Sequence, residues 1–239
     1  MQQDKDNSAQ THAFWRELPK RILQVFGMIL VMDTILFGAA GRFDWLGAWI
    51  LSLFFGVFLL VFVTWTMRHS PDLLAERSRM AGTVKPWDKV IMAIYTVLLF
   101  AMLIVAGLDA GRSHWSAVPV IWQAIGFVGL IPAGGLIWWA TSVNRFLSRW
   151  ARIQEDRSQY VVSSGPYQFV RHPMYAAIFP FVVSIPLALG SWWALIPGGL
   201  ICVLFVLRTA LEDRMLQDEL PGYREYAAHV RYRLLPGVW

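Results

Sequence analysis

Apolar residues in this chain fall into long blocks rather than into the short alternations of strands. A polar, mixed-charge stretch, 1–18, precedes four apolar stretches near 21–41, 45–67, 89–110 and 118–143. Each is long enough to cross ~30 Å of hydrocarbon as a helix. A fifth apolar region, 174–207, is too long for one upright span and is interrupted by Pro186, Gly190 and Pro197. It reads as a helical hairpin, 174–189 and 191–210, turning near Leu189-Gly190-Ser191, with neighbouring helices satisfying the backbone groups that proline frees. The pattern predicts an all-α, polytopic transmembrane helical bundle of four spans plus a C-terminal hairpin. The chain then divides into an N-terminal tail (1–18), four spans within 19–143 joined in part by a loop at 68–88, and a region 144–239 that holds the remaining long polar segments. Residues 1–18 lack the cleavage pattern of a signal peptide.

Composition agrees with the blocks. Hydrophobic residues make up 56% of the chain and charged residues only 15%, with a mean hydropathy of +0.47. A soluble domain carries more charge on its surface. The 13 tryptophans suit membrane–water interfaces. Of the 21 lysines and arginines, all but Arg42 and Arg112 fall in the N-terminal tail, the 68–89 loop, the 144–173 segment or the C-terminal tail. The positive-inside rule therefore places both termini and both long loops in the cytoplasm, an arrangement that needs an even number of crossings. The net charge of +5 lies beside the membrane, where anionic lipid attracts it, and no nucleic-acid-binding motif accompanies it. The lipid bilayer is thus the expected partner, and no segment identifies a protein partner. The single cysteine, Cys202, lies in an apolar run and excludes an intrachain disulfide. Transporters commonly show paired halves with matching broken helices, whereas this chain has one broken region.

Candidate chemistry concentrates in 144–175. Ser164-Gly165-Pro166 is a turn signal, and Arg171-His172-Pro173 stands at the mouth of the next helix with proline at a favoured first-turn position. The N-terminus of that helix offers free N–H groups and partial positive charge suited to an anion such as a carboxylate. Tyr167 and His172 flank the turn and Tyr175 follows. On chemistry alone, an interfacial loop anchored by Arg, Tyr and His fits as well. Arg208 and Glu212 are four residues apart, on one helical face, where an ordinary ion pair is the plainest reading. Beyond them, Leu216, Leu220, Tyr223, Tyr226 and Val230 form an amphipathic pattern suited to lying on the membrane or folding over the 144–175 loop.

Taken together, Gln154, Gly165-Pro166-Tyr167, Arg171-His172-Pro173-x-Tyr175, the Arg208-x-x-x-Glu212 pair and the Leu220-Pro221-Gly222-Tyr223-x-x-Tyr226 tail resemble the isoprenylcysteine carboxyl methyltransferase family of integral membrane enzymes. The resemblance implies S-adenosylmethionine binding in a cytoplasmic pocket. Region 144–239 would then comprise a cofactor loop, the transmembrane hairpin 174–210 and a C-terminal capping tail. Carried over by position, cofactor contacts fall on Gln154, on Gln159, Tyr160, Val161 and Val162, on Tyr167, on His172, Pro173, Met174 and Tyr175, and on Glu212. Arg208 takes the part of the arginine that binds and orients the substrate, so that Arg208 and Glu212 form the catalytic pair. The Gln154-to-Tyr167 spacing is shorter than in eukaryotic members. Glu212 suits the cofactor ammonium, and His172 with the helix N-terminus suits its carboxylate.

The activity implied is methyl transfer from S-adenosylmethionine to a lipophilic or small acceptor, with a carboxylate, as in isoprenylcysteine carboxyl methylation, ahead of a thiol or amine. A carboxylate is ionised near neutrality and needs no general base. Two alternatives compete: an NADPH-dependent membrane sterol or enone reductase, and a non-catalytic membrane protein. The reductases carry similar Arg-His-Pro-x-Tyr turns but typically have Asn where Met174 stands. Asp33 is an ionisable residue inside the first span, Asp109 and His114 fall near the opposite face, and His12, His69 and His229 lack ligand spacing, so no metal site is expected.

Overall fold

The computed structural model describes residues 2–70, 73 and 84–239, with side chains from Phe14 onward. Most of the 68–88 loop, including Arg77 and Arg79, lies outside the described residues. The described residues hold seven α-helices: α1 Gln2–Ala40, α2 Leu46–His69, α3 Pro86–Ala106, α4 Val120–Val143, α5 Pro173–Leu189, α6 Leu195–Glu219 and α7 Tyr223–His229. Among the described residues, 5 helical stretches are long and apolar enough to cross a membrane: Phe14–Ala40, Leu46–His69, Pro86–Ser113, Val120–Val143 and Leu195–Glu219. α5 is shorter, at 17 residues, or ~25 Å at 1.5 Å per residue. It pairs with α6 as the second arm of the expected hairpin.

Three boundaries differ from the sequence pattern. α1 begins well before residue 21, because the polar stretch ahead of it holds ordinary helix-forming residues and polarity alone does not end a helix. α3 continues past its apolar block as a π-helical turn, Gly107–Ser113, which ends where His114 takes φ 51°. α6 runs on to Glu219, since no breaker stands before Leu220-Pro221-Gly222, and so Glu212, Asp213 and Leu216 belong to the helix rather than to the tail. The hairpin turn falls where the glycine predicts. Gly190 adopts φ 80° and its N–H caps the carbonyls of Leu187 and Pro186.

α4 and α5 pack most extensively, followed by α1 with α2 and α3 with α6. Gly126 permits the α4–α5 approach, since a side chain there would collide with the backbone of Ser184 and Ala188. Leu36, Leu51, Met102, Leu130, Val182, Ile201 and Phe205 share the main core. Two smaller clusters lie at the basic end of the bundle. Leu73, Ala140, Leu147 and Tyr167 form one, and Leu220, Tyr223 and Tyr226 of the tail form the other. The space between these two clusters holds the candidate site.

Polar groups within the bundle are paired. Asp33 accepts a hydrogen bond from Ser52 at 2.5 Å, joining α1 to α2. Asp109 is fully buried. It accepts from the Ser116 N–H and hydroxyl and from the Ser191 hydroxyl, which ties the end of α3 to the hairpin turn.

Candidate active site

The loop between α4 and α5 is shaped by its own polar side chains. Asn144, just past α4, accepts the Phe146 N–H at 2.9 Å and donates to the Tyr167 hydroxyl at 3.0 Å. Gln154 is 1% exposed. Its amide donates to the Phe146 carbonyl at 2.5 Å and accepts from Arg157 at 2.8 Å, while its N–H donates to the Gln159 side chain at 2.7 Å. Gln154 therefore staples the loop into a curved wall. Gly165 adopts φ 59° and, with Pro166, opens a short 3-10 turn that buries Tyr167.

That turn leads into Arg171 and His172, whose N–H groups donate to the carbonyls of Tyr232 and Arg233, each at 2.9 Å. The C-terminal segment is thereby laid across the start of α5. Asp213 secures the junction. Arg171 donates to it bidentately at 2.7 and 2.9 Å, and Arg233, Gln217 and Tyr223 donate at 2.9, 2.8 and 3.1 Å. His172 Nε2 lies 3.4 Å from the same carboxylate. Arg171 also donates to the carbonyls of Val230 and Arg231. A buried charge pair of this kind holds because its remaining hydrogen-bonding capacity is satisfied. Burial, and then the neighbouring Asp213 charge, push the Tyr223 hydroxyl far above the ordinary phenol range. Burial raises that of Tyr226 as well, so both donate as neutral phenols. Tyr226 donates to the Tyr167 carbonyl at 2.7 Å, fixing α7 over the turn.

Between the loop wall, the start of α5, α6 and the α7 roof lies a cavity, partly open to solvent. Gln154, Gln159, Tyr160, Val161, Val162 and Tyr167 line it from the loop, His172, Pro173, Met174 and Tyr175 from α5, and Glu212 from α6. Every cofactor position assigned by the resemblance thus faces one space. Leu220, Tyr223 and Tyr226 cover it. The His172 ring lies parallel to that of Tyr175, 5.6 Å away, and the Tyr175 hydroxyl donates to Glu212 at 2.5 Å. Ala176 is the first residue of α5 to donate into the helical ladder, to the His172 carbonyl, which leaves the Met174 and Tyr175 amides outside it.

Arg208 is not part of the lining. Its guanidinium is 5.0 Å from the centre of the Tyr175 ring, and it pairs with Asp88 at 2.8 Å. It stands behind the tyrosine whose hydroxyl meets Glu212. Sequence reasoning gave no role to Asp213, Asp88 or the Tyr226 hydroxyl. One sign of Asp213 was present: adjacent acidic residues on a helix point ~100° apart, so Glu212 and Asp213 must serve different faces. Asp88 is 120 residues from Arg208, and no spacing rule links them.

An oxygen-rich wall, stacked aromatic rings, a half-buried carboxylate and a helix N-terminus can together hold a molecule bearing an ammonium, a carboxylate and an aromatic base. Residues 124–220 match the phospholipid methyltransferase family. The match runs from α4 through the site loop to the end of α6 and agrees with the resemblance to membrane methyltransferases read from the motifs. A comparison with curated proteins finds no match.

Proposed function

We propose that this chain is a membrane methyltransferase that binds S-adenosylmethionine in the cavity beneath α7 and methylates a lipophilic acceptor drawn from the bilayer, a carboxylate first among the candidates, a reading supported by the match of residues 124–220 to the phospholipid methyltransferase family. The observation that carries this reading is the convergence of Tyr167, the His172–Tyr175 turn and Glu212 on one cavity at the basic end of the bundle. That end would face the cytoplasm, where the cofactor is found.

When bound, S-adenosylmethionine supplies an electrophilic methyl group on a sulfonium. The residues of the chain bind, orient and exclude water. Glu212, held by the Tyr175 hydroxyl, offers a fixed negative charge to an ammonium. The Met174 and Tyr175 amides at the start of α5 offer donors and partial positive charge to a carboxylate. The faces of Tyr167 and Tyr175 suit an adenine ring or a sulfonium. Leu220, Tyr223 and Tyr226 limit water above the site. Opposite charges on nucleophile and sulfonium neutralise one another during transfer, so a dry, preorganised pocket favours the reaction, and alignment alone contributes ~7–11 kcal/mol where it is good.

Calorimetric titration of the purified protein in nanodiscs with S-adenosylmethionine and, separately, NADPH tests this. Saturable 1:1 binding of S-adenosylmethionine without NADPH binding is expected. The reverse result would replace the reading with a reductase. Tritiated methyl donor incubated with lipid extracts then identifies the acceptor, and acid- and base-labile label marks a methyl ester.

A further inference from the structure

We propose that Asp88 is a positioning residue of this site, acting through Arg208 and through the backbone of the cofactor loop. The proposal rests on the reading of the cavity as an S-adenosylmethionine site. Asp88 lies in the first turn of α3, outside the segment that matches the family, and is fully buried. A buried carboxylate is costly unless donors satisfy it, and here both oxygens are engaged. Arg208 Nε donates to one at 2.8 Å, and the other accepts from Arg208 Nη2 at 3.3 Å and from the Ala151 N–H at 2.7 Å.

These donors sit just behind two different walls of the cavity, Arg208 on α6 behind Tyr175 and Ala151 in the loop between Trp150 and Arg152. Arg208 Nη2 also donates to the Arg149 carbonyl at 2.9 Å, and the Lys85 N–H reaches the Ala151 carbonyl at 3.4 Å. Residues 149–151 are thus clamped immediately ahead of Arg152 and Gln154, which line the cavity. On the other side, Asp88 fixes the guanidinium against the ring of Tyr175, and the Tyr175 hydroxyl holds Glu212. One carboxylate on α3 therefore sets both the loop wall and the Tyr175–Glu212 pair. Arg208 is held in place by it rather than left to swing toward solvent.

The full-length protein in nanodiscs provides the test. In calorimetry with S-adenosylmethionine, Asp88→Asn is expected to weaken binding about tenfold or more, the scale of a lost charged hydrogen bond. Asp88→Glu, which keeps the charge, is expected to recover affinity to within about threefold, and Arg208→Lys, which loses the fork, to resemble Asp88→Asn. Hydrogen exchange in peptides covering 146–160 and 172–178 is expected to rise in Asp88→Asn while α1 and α2 stay as in the unmodified protein. Full affinity and unchanged exchange in folded Asp88→Asn would overturn the proposal, leaving Asp88 as a fold-stabilising pair only. If Asp88→Asn does not fold, Arg208→Lys decides by the same two readouts. Absence of cofactor binding to the unmodified protein would refute the reading of the site, and the exchange measurement would still decide whether Asp88 positions these walls.

Discussion

Glu212 and Asp213 are neighbours in sequence with opposite assignments. Glu212 faces the cavity and accepts the Tyr175 hydroxyl, whereas Asp213, completely buried, turns away to receive both arms of the Arg171 fork. One helical step separates a carboxylate suited to a ligand from one that holds the C-terminal segment in place.

Asp213→Asn is therefore expected to act on stability. It leaves the buried Arg171 guanidinium without its counter-charge and weakens the Arg233, Gln217 and Tyr223 hydrogen bonds together. Breaking one side of a buried pair costs ~3–5 kcal/mol. A lowered melting temperature should accompany early proteolytic release of residues 230–239, because their anchor to Arg171 and His172 is lost. A melting temperature equal to that of the unmodified protein would show that the tail is held without the Asp213 charge.

Glu212→Gln should do the opposite. The amide oxygen still accepts from Tyr175, so the stability change stays below about 1.5 kcal/mol. The negative charge disappears, and S-adenosylmethionine affinity is expected to fall about tenfold or more, as for loss of a charged hydrogen bond. Calorimetry and thermal unfolding on the same preparation separate the two effects. Affinity kept within twofold would remove Glu212 from cofactor binding.

Much of this arrangement was legible in the sequence. The apolar blocks gave the bundle, Gly190 gave the hairpin turn, and the Arg171-His172-Pro173-x-Tyr175 motif gave the start of α5 that faces the cavity. Each is a local signal, carried by periodicity or by a residue with a special backbone preference. Asp88 and the Tyr226–Tyr167 hydrogen bond were not legible, because they depend on which helices pack side by side. Gln154 is an intermediate case. Its position in the motif placed it at the cavity, but only the structure shows its amide committed to Phe146 and Arg157.

Tyr223 supplies a pH prediction. The fold raises its hydroxyl far above the ordinary phenol value of ~10, so folding favours the protonated form. Its contribution to stability is complete below pH ~10 and is lost as the pH climbs from there toward the folded value. The folded protein should thus show no phenolate absorbance from Tyr223 between pH 9 and about 11. The titration of Tyr223→Phe should superimpose on that of the unmodified protein in this range. Unfolded in denaturant, the two should differ by one tyrosine. A missing tyrosine in the folded titration of the variant would mean that the hydroxyl ionises normally and that the Asp213 contact is open to solvent.

The orientation of the bundle is the last prediction. Ser163 lies on the exposed rim of the site loop, and Ser113 ends the π-helical turn after α3 and is also exposed. The charge distribution puts the first in the cytoplasm and the second on the opposite side. In a Cys202→Ala background, a membrane-impermeant maleimide should label Ser163→Cys only in inside-out vesicles and Ser113→Cys only in right-side-out ones. Labelling of Ser163→Cys from outside would place the cavity away from the cytoplasmic cofactor pool and would refute the proposed function, however well Glu212 and the start of α5 suit S-adenosylmethionine.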